Sequence, residues 1–337
     1  MVIIADDLTG ALDTSAPFVA AGQSVAVATR PEGAAAALAE RANVVVVNTA
    51  SRALAPDDAS RVVRDAALAL REAQPRLVFK KIDSRLKGNV GSETASIAEA
   101  FGLDAVVVAP AVPEQGRVTR DGAVIGRGVD GALPVGPLFA GYNVRIADAE
   151  SDADLDRVVA ETEWSSTLAV GASGLGAAFA RRLAGGVAKP LKRSRRTLFV
   201  IGSRDVITAQ QIAELRNVAI HDVPQGSFSD EVSLPAVLRC TGPDDDAEAV
   251  ARRFAESATA VIAETSPEVV VMSGGDTALA ILDRLGVTLV RPLGEAARGL
   301  PWFALDRPGA RRMTAVVKSG GFGDSGSLAA LLPPPDA

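Results

Sequence analysis

Short runs of aliphatic residues alternate along the chain with longer stretches in which apolar residues recur at helical spacing. The aliphatic runs predict buried strands at 2–5, 24–29, 43–48, 76–81, 104–110 and 166–173. The stretches between them predict helices, for example at 33–42 and 58–74. Because the strands are almost continuously apolar, both faces of the sheet should be covered. The pattern therefore predicts an α/β fold with an N-terminal domain built on a mostly parallel sheet flanked by helices.

A segment with glycine, proline and several basic residues, 185–196, interrupts this alternation. A charge run of this kind is usually a solvated connection. Strand and helix patterns resume after it. We therefore predict a first domain at 1–188, a linker at 189–196 and a smaller α/β domain at 197–337.

Composition narrows the possible classes of function. The 337 residues carry a formal net charge of −6, which argues against nucleic-acid binding, since phosphate recognition favours a basic surface. No apolar run approaches the roughly 20 residues of a membrane span. The N-terminus lacks the basic region and cleavage site of a signal peptide, so we expect a cytoplasmic protein with no membrane partner. The oligomeric state stays open, a homo-oligomer included.

Cys240 and His221 are the single representatives of their residue types. One cysteine excludes a disulfide within the chain, and the pair excludes zinc sites built from several cysteines or histidines. Any chemistry should therefore be carried by Asp, Lys, Arg, Ser, Thr and backbone amides.

Polar residues follow the predicted strands of the first domain, where open α/β sheets bind ligands. They are Asp6, Asp7, Thr9 and Asp13, then Asn48, Ser51 and Arg52, then residues 80–93 and 109–117. Asp6 or Asp13 taken alone could simply cap the following helix. Together with the cations, however, the set predicts a site for a small hydroxylated anion. Arg52, Lys81 and Arg85 suit a carboxylate, and Asp7 and Asp13 suit vicinal hydroxyls.

Three glycine-rich turns follow strands in the second domain, at 200–205, 272–278 and 318–327. We expect each to precede a helix, the third turn leading into a final helix that ends near residue 332. Glycine lets backbone amides approach a ligand closely, and amides at a helix N-terminus bind anions. The turns therefore predict a polyphosphate site with Lys318 near the charge. No G-x-x-x-x-G-K-[ST] motif is present, so this is not a P-loop.

A competing interpretation starts from Gly171, Gly174 and Gly176, which lie between a predicted strand and a helix. They resemble a dinucleotide fingerprint, and basic residues about 20 positions later would suit a 2′-phosphate. This would make the protein an NADP-dependent reductase. Against it, the motif does not sit in an N-terminal βαβ unit, and close packing of helix on strand also explains the glycines.

These segments together resemble the four-carbon acid sugar kinase family, formerly a domain of unknown function, and most closely its D-threonate and D-erythronate kinase branch. The matching stretches are "IADDLTGALDT", "VVNTASRAL", "KKIDSRLKGNVGSE", "APAVPEQGRVTRDG", "VGASGLG", "SGGDTALAIL" and "VVKSGGFGD". They cover essentially the whole chain. The resemblance implies an N-terminal domain that binds a sugar acid and a C-terminal domain that binds ATP. It also implies phosphorylation of the terminal hydroxyl with a divalent metal, normally Mg²⁺.

The resemblance and the strand-end positions together define two candidate sites. The sugar-acid site comprises Asp6, Asp7, Thr9, Asp13, Ser51, Arg52, Lys81, Asp83, Arg85, Gly88 and Asn89. The ATP site comprises Gly202, Ser203, Gly274, Gly275, Asp276, Thr277, Lys318, Gly320 and Gly321. No residue is assigned as a direct metal ligand. The chain departs from the family in having Arg85 where a small residue is usual, "GSRD" at 202–205, and a short second domain.

Phosphoryl transfer asks a protein mainly for positioning and for positive charge around the moving group. We expect Asp7 or Asp83 to orient and deprotonate the terminal hydroxyl, and Lys81 and Arg85 to hold the substrate carboxylate or screen the γ-phosphate. Asp276 would contact Mg²⁺ through water, and the domains would close over both ligands. A non-catalytic sugar-acid sensor is a further alternative, although a sensor has no need for a second anion site.

Overall fold

The computed structural model describes residues 1–139, 143–183, 185–186, 189–243, 246–305 and 312–334. The chain forms two compact units, Met1–Val187 and Ala188–Ala337. Each unit contains a parallel-dominated sheet flanked by helices, which confirms the predicted α/β class. Residue 188, the predicted end of the first domain, lies outside the described residues. Residues 189–196 form neither helix nor strand and are mostly exposed.

The first unit alternates strands with helices in the order that the apolar pattern predicts. Its described elements are β1 Val2–Ala5, α1 Leu8–Ala20, β2 Val25–Ala28, α2 Ala34–Ala39, β3 Val44–Asn48, α3 Pro56–Arg71, β4 Val78–Lys81, α4 Val90–Phe101, β5 Ala105–Ala109, β6 Arg117–Arg120, β7 Ala123–Gly126, β8 Leu133–Pro134, β9 Val144–Ile146, α5 Asp152–Glu161, β10 Thr167–Gly171 and α6 Ser173–Arg181.

Seven of these strands form a parallel sheet in the order β2-β3-β1-β4-β10-β5-β9. The register brings the strand ends level, with Ala5 opposite Asn48 on one side and opposite Lys81 on the other. On the far side of β4, Lys81 lies opposite Gly171. The polar segments that follow these strands therefore emerge along one edge of the sheet.

A small antiparallel sheet, β6-β7-β8, follows β5, in a region for which the sequence pattern predicted no strand. Its strands are two to four residues long, and the longest aliphatic run in them, at 123–125, has only three residues, so the pattern gave too weak a signal for them. This sheet begins at Arg117, close to the edge that carries the other polar residues.

The second unit follows the same alternation. Its described elements are β11 Thr197–Ile201, α7 Val206–Ala213, β12 Ala219–Pro224, β13 Ala236–Thr241, α8 Ala247–Thr265, β14 Val269–Ser273, α9 Gly275–Arg284, β15 Leu289–Val290, β16 Pro292–Glu295, β17 Pro301–Leu305 and β18 Met313–Lys318. A seven-stranded sheet runs β12-β13-β11-β14-β18-β17-β16, parallel as far as β18 and antiparallel beyond it. Here too the ends are level, with Ser273 opposite both Ile201 and Lys318.

The expected final helix is wrong: a single 3₁₀ turn, Ala329–Leu331, stands in its place. The apolar stretch after the third glycine loop is only about one and a half turns long before a run of prolines, too short to hold a helix. Leu328 and Leu331 nevertheless pack into the core of the second unit, against residues such as Phe199 and Ile212. In the part of the chain that the structure describes, no helix combines the length and apolarity needed to cross a membrane.

A buried ion pair lies next to the strand ends that carry the polar residues of the first sheet. The Lys80 ammonium pairs with the Glu93 carboxylate, and both side chains are about 1% exposed. Glu93 Oε1 also accepts a hydrogen bond of 2.7 Å from Ser51 Oγ, which in turn lies 2.8 Å from Thr49 Oγ1. The network thus joins β4, α4 and the segment after β3.

We predict that Lys80→Met lowers the free energy of unfolding of the first unit by about 3–5 kcal/mol, because it leaves the Glu93 charge buried without a partner. Lys80→Met/Glu93→Gln removes that charge and keeps an acceptor for Ser51, so it should recover most of the loss. The chain has two tryptophans, so chemical unfolding in a Trp302→Phe background reports on the first unit through Trp164. A double variant no more stable than Lys80→Met would contradict the prediction.

Candidate functional site

Arg52 binds the two aspartates that follow β1. Its Nε and Nη2 donate to the two carboxylate oxygens of Asp6, at 2.9 and 2.8 Å, and Nη2 also donates to Asp7 Oδ1 at 2.8 Å. Its remaining nitrogen, Nη1, lies 3.9 Å from Asp83 Oδ2. The guanidinium expected to hold a substrate carboxylate is therefore surrounded by carboxylates of the protein itself.

The charges around Asp6 and Arg52 stabilise each other. Burial opposes ionisation of Asp6, but Lys80 and Arg52 together outweigh it and hold the pKa of Asp6 below its ordinary value. Burial likewise disfavours the charged form of Arg52, but the carboxylates of Asp7 and Asp6 raise its pKa. The pair is an ionised, structural unit at the mouth of the site.

Asp7 is the N-cap of α1. Its Oδ1 accepts a hydrogen bond from the Gly10 amide at 2.9 Å, and its Oδ2 accepts one from Thr9 Oγ1 at 2.5 Å. Gly10 leaves room at this point, because a Cβ there would lie 2.5 Å from Asp7 Oδ1 and 2.9 Å from Lys81 Nζ. The missing side chain thus lets the Lys81 ammonium approach the start of α1.

Asp13 lies further along α1 and is partly exposed. Thr14 Oγ1 donates to its Oδ1 at 3.0 Å. Burial raises the pKa of Asp13 to about 6; Lys81 opposes this shift and Asp7 adds to it. Asp13 is therefore a carboxylate poised to exchange a proton near neutral pH.

The segment after β4 forms a tight loop on the same edge. Asp83 Oδ1 accepts the Arg85 amide at 2.8 Å, and the Arg85 side chain is exposed. Gly88 has φ +88°, and a Cβ there would lie 3.1 Å from Asp6 Oδ2 and 3.2 Å from Arg52 Cγ. Asn89 Nδ2 donates to the carbonyls of Ser51 and Leu54. Gly88, Asn89 and Ser51 therefore hold the loop rather than present free polar groups.

Arg117, at the start of β6, is a residue that the sequence analysis passed over. Its guanidinium donates to Ser84 Oγ and, at 2.5 Å, to Gln115 Oε1. Its buried Nε has no partner within the described residues. Burial lowers the pKa of Arg117; Arg85 and Arg127 add to this shift, and the Asp83 carboxylate opposes it. The sequence could have indicated Arg117 by its position, because it ends the polar segment 109–117 that follows a strand of the sheet.

The cations at this edge are of two kinds: some form ion pairs with protein carboxylates, and others, among the described residues, contact only neutral groups. Arg52 and Lys80 are paired with protein carboxylates, whereas Lys81 donates to the neutral Ile82 carbonyl at 3.0 Å. Arg117 also has only neutral hydrogen-bond partners in the described part of the chain. An anion that binds here would gain most from Lys81, Arg85 and Arg117.

In the second unit the three glycine turns lie together, at the level ends of β11, β14 and β18. The amides of Gly202 and Ser203 both donate to the Ser273 carbonyl, at 2.9 and 3.1 Å. The Gly274 amide donates to the Lys318 carbonyl at 3.0 Å. A Cβ on Gly320 would overlap the Ser203 hydroxyl. Larger residues would therefore separate the turns.

The N-terminus of α9 presents its amides without a side-chain cap. Its N-cap, Gly274, has φ +106°, a conformation that favours glycine, and Asp276 is exposed in the first turn. By contrast, Asp205 caps α7, its Oδ1 accepting the Ile207 amide at 2.9 Å. Uncapped amides at the positive end of a helix dipole can bind a phosphate. Thr277 is buried in the same turn, against Gly202.

Lys318 is fully buried, and its ammonium points into the glycine loop that follows it. Nζ donates to Thr208 Oγ1 at 2.9 Å and to the carbonyls of Ser319 and Gly320 at 3.1 and 2.8 Å. Burial lowers the pKa of Lys318 to about 8, and Asp205 opposes this. With all three donors engaged, Lys318 shapes the loop that contains Gly320 and Gly321.

The glycines of the competing reductase interpretation serve packing. A Cβ on Gly174 would overlap the Ala111 carbonyl, and one on Gly176 would lie 2.6 Å from Thr14 Cγ2. These glycines let α6 pack closely against its neighbours, including α1. Nothing in this geometry requires a dinucleotide.

Comparison with known proteins identifies the family. Residues 1–134 match the family described as a sugar-binding N-terminal domain, and residues 229–328 match the nucleotide-binding C-terminal domain. The chain belongs to the four-carbon acid sugar kinase family. It is a phosphotransferase that acts on a sugar acid.

Two kinases and one solved structure are similar to this chain over almost its full length. A D-threonate kinase from Bordetella bronchiseptica is 31% identical over 97% of this chain and 95% of its own. A 3-oxo-tetronate kinase from Actinobacillus succinogenes is 25% identical over 95% of this chain and 96% of its own. A crystal structure of a Haemophilus influenzae protein has the same fold, with a TM-score of 0.69 at 20% identity, covering 98% of this chain and 99% of that one.

We predict that Lys318→Met and Thr208→Val each destabilise the second unit and that their effects are not additive. The coupling should be about 0.5–3 kcal/mol, because Lys318 donates to the Thr208 hydroxyl. Chemical unfolding of the two single variants and the double variant, followed through Trp302 in a Trp164→Phe background, measures it. Additive losses would contradict the contact.

The titration of Lys318 gives a second readout in the same variants. Its pKa is lower in the folded than in the unfolded protein, so the folded state releases this proton first. The unfolding free energy of the wild type relative to Lys318→Met should therefore rise as the pH increases from about 8 towards 10.5.

Proposed function

We propose that the first unit binds a four-carbon sugar acid, that the second binds ATP, and that the γ-phosphoryl group passes to the terminal hydroxyl of the acid. The descriptions of the two matching domains support this division, as do the kinase relatives. The observation that carries the proposal is the contrast between the two strand-end clusters. One combines carboxylates with cations, and the other is built from glycine turns and an uncapped helix.

The sugar-acid site uses its cations for different tasks. Arg52 keeps Asp6 and Asp7 in place. The substrate carboxylate binds Arg117 and Arg85, neither of which forms an ion pair with a carboxylate of the described residues. An arginine fork suits a carboxylate because it donates two parallel hydrogen bonds. Asp7, Asp13 and Asp83 face the hydroxyls of the acid. Of the three cations that the sequence suggested for this carboxylate, Arg52, Lys81 and Arg85, we thus propose Arg117 in place of Arg52.

The nucleotide site uses backbone amides. The first-turn amides of α9, after Gly274, receive the phosphates, and the turns at Gly202–Ser203 and Gly320–Gly321 line the same place. Lys318 holds the last of these turns in shape from inside. This arrangement supplies donors to a polyphosphate without a P-loop.

The residues present fit Mg²⁺ carried on the nucleotide rather than in a protein cage. Among the residues that the structure describes, no group of three or more acidic, histidine or cysteine side chains could hold a metal. Mg²⁺ commonly binds through substrate phosphates, waters and one or two carboxylates. The exposed Asp276 in the first turn of α9 is the carboxylate placed to contact it through water. The ion would neutralise charge on the phosphates of ATP.

D-threonate is the first substrate to test, and D-erythronate the second. The Bordetella relative supports the first choice. Arg85, which departs from the family pattern, adds a cation beside Arg117 and would favour an acid over a neutral sugar. An NADP-dependent reductase and a non-catalytic sensor are the alternatives that the same assay tests.

We expect ADP release in a coupled assay with ATP, Mg²⁺ and D-threonate or D-erythronate, and none after chelation with EDTA. The panel should include L-threonate and 3-oxo-tetronates, with titrations of ATP and NADPH binding as separate measurements. Turnover of any tetronate supports the kinase. Binding of a tetronate without turnover would support the sensor, and NADPH binding without ATP binding would support the reductase.

We also expect Arg117→Met to raise the KM for the sugar acid about 10- to 100-fold, because it removes a charge-assisted contact to the carboxylate. The KM for ATP should stay unchanged. Arg120→Met is the matched control, since Arg120 lies on the same strand and pairs with Glu150 at the surface. Equal effects of the two variants would argue against Arg117 as the carboxylate ligand.

A further inference from the structure

The carboxylates at the end of β1 differ in how many of their lone pairs are already used. Both oxygens of Asp6 accept from Arg52. Asp7 Oδ1 accepts from Gly10 and Arg52, and its Oδ2 accepts from Thr9. Three hydrogen bonds, one of them from an arginine, therefore engage both oxygens of Asp7.

Asp83 is also occupied by its own loop. Its Oδ1 accepts the Arg85 amide at 2.8 Å and lies 3.5 Å from the Lys87 amide, and its Oδ2 faces the Arg52 guanidinium at 3.9 Å. Both oxygens of Asp83 thus face groups of the protein, as do both oxygens of Asp7.

Asp13 has fewer hydrogen-bond partners than Asp7 or Asp83. Its Oδ1 accepts a single neutral hydrogen bond, from the Thr14 hydroxyl, and its Oδ2 accepts none from the residues that the structure describes. The side chain is partly exposed and lies on α1 about one turn after Gly10, the position that faces the Lys81 ammonium. Lys81 from β4, Arg52 from the segment after β3, and Asp7 from the start of α1 are the charged groups that act on it.

We propose that Asp13 is the catalytic base, accepting the proton of the sugar acid's attacking hydroxyl while Asp7 positions the start of α1; this rests on the proposed kinase function. In the step, the hydroxyl oxygen forms a bond to the γ-phosphorus as its proton moves to Asp13 Oδ2. The bond from that phosphorus to the β–γ bridging oxygen breaks, and its electron pair leaves with ADP.

The electrostatics of the site suit this role. A base is most effective when its pKa lies near the working pH, and burial brings Asp13 to about 6. Lys81 limits the rise and keeps Asp13 ionised at pH 7. Protonation of Asp13 below pH 6 would remove the acceptor, so activity should fall on the acid side.

The test begins with Asp13→Asn. It should lower kcat by about 10²- to 10⁴-fold and leave the KM for the sugar acid within about threefold. Asp65→Asn, an exposed site on α3, is the matched control for loss of one carboxylate. Trp164 fluorescence, in a Trp302→Phe background, checks that the first unit is folded.

The pH profile gives an independent readout. Wild-type kcat/KM should fall below pH 6 with the slope of one proton. In Asp7→Asn this inflection should persist at a lower pH, because Asp7 contributes to the raised pKa. In Asp83→Asn it should also persist, whereas in Asp13→Asn it should disappear. Exogenous formate should restore part of the activity of Asp13→Ala, since formate can take the proton in place of the missing carboxylate.

Two results overturn the inference and differ from failure of the proposed function. Asp13→Asn with kcat within tenfold of an active wild type would remove Asp13 from the chemistry. A wild-type profile flat from pH 5 to 8 would do the same, whether or not the variant folds. A wild type that phosphorylates no tetronate refutes the kinase assignment, and with it the role of Asp13.

Discussion

The bidentate contact between Arg52 and Asp6, with its extension to Asp7, is the interaction on which the polar strand-end edge of the first unit depends. It joins the segment after β3 to the end of β1, and Gly88 allows the loop after β4 to close against it. Beneath it, Lys80 and Glu93 tie β4 to α4. The carboxylates at this edge would repel one another, and cations in fixed positions offset that repulsion.

The second unit uses a buried cation in a similar way. Lys318 lies inside the strand end and donates to the loop above it, so that the loop keeps a shape in which its glycines meet the turns after β11 and β14. In both units, the cations most conspicuous in the sequence are internal supports. The groups that we propose for ligands are Arg117 and Arg85 in the first unit and backbone amides at the start of α9 in the second.

Much of the fold could be predicted from the sequence, because continuous aliphatic runs such as Val44–Val47 are typical of strands covered on both faces. The strand ends then located the candidate residues. The pattern could not show which cation forms an ion pair with which carboxylate. Arg52, Lys80 and Arg117 carry the same charge, and the register of β1, β3 and β4 decides which of them meets a carboxylate. The strands around Arg117 were missed because their apolar runs are too short to predict a strand. The terminal helix was wrong because its helical stretch is too short.

Gly10 has a consequence beyond its own backbone. The Asp7 carboxylate and the Lys81 ammonium share the space that a Cβ would fill at Gly10. The start of α1 and the end of β4, which are distant in sequence, can therefore lie side by side. A side chain at position 10 would have to displace one of these two charged groups, so this residue sets the spacing between the start of α1 and the end of β4.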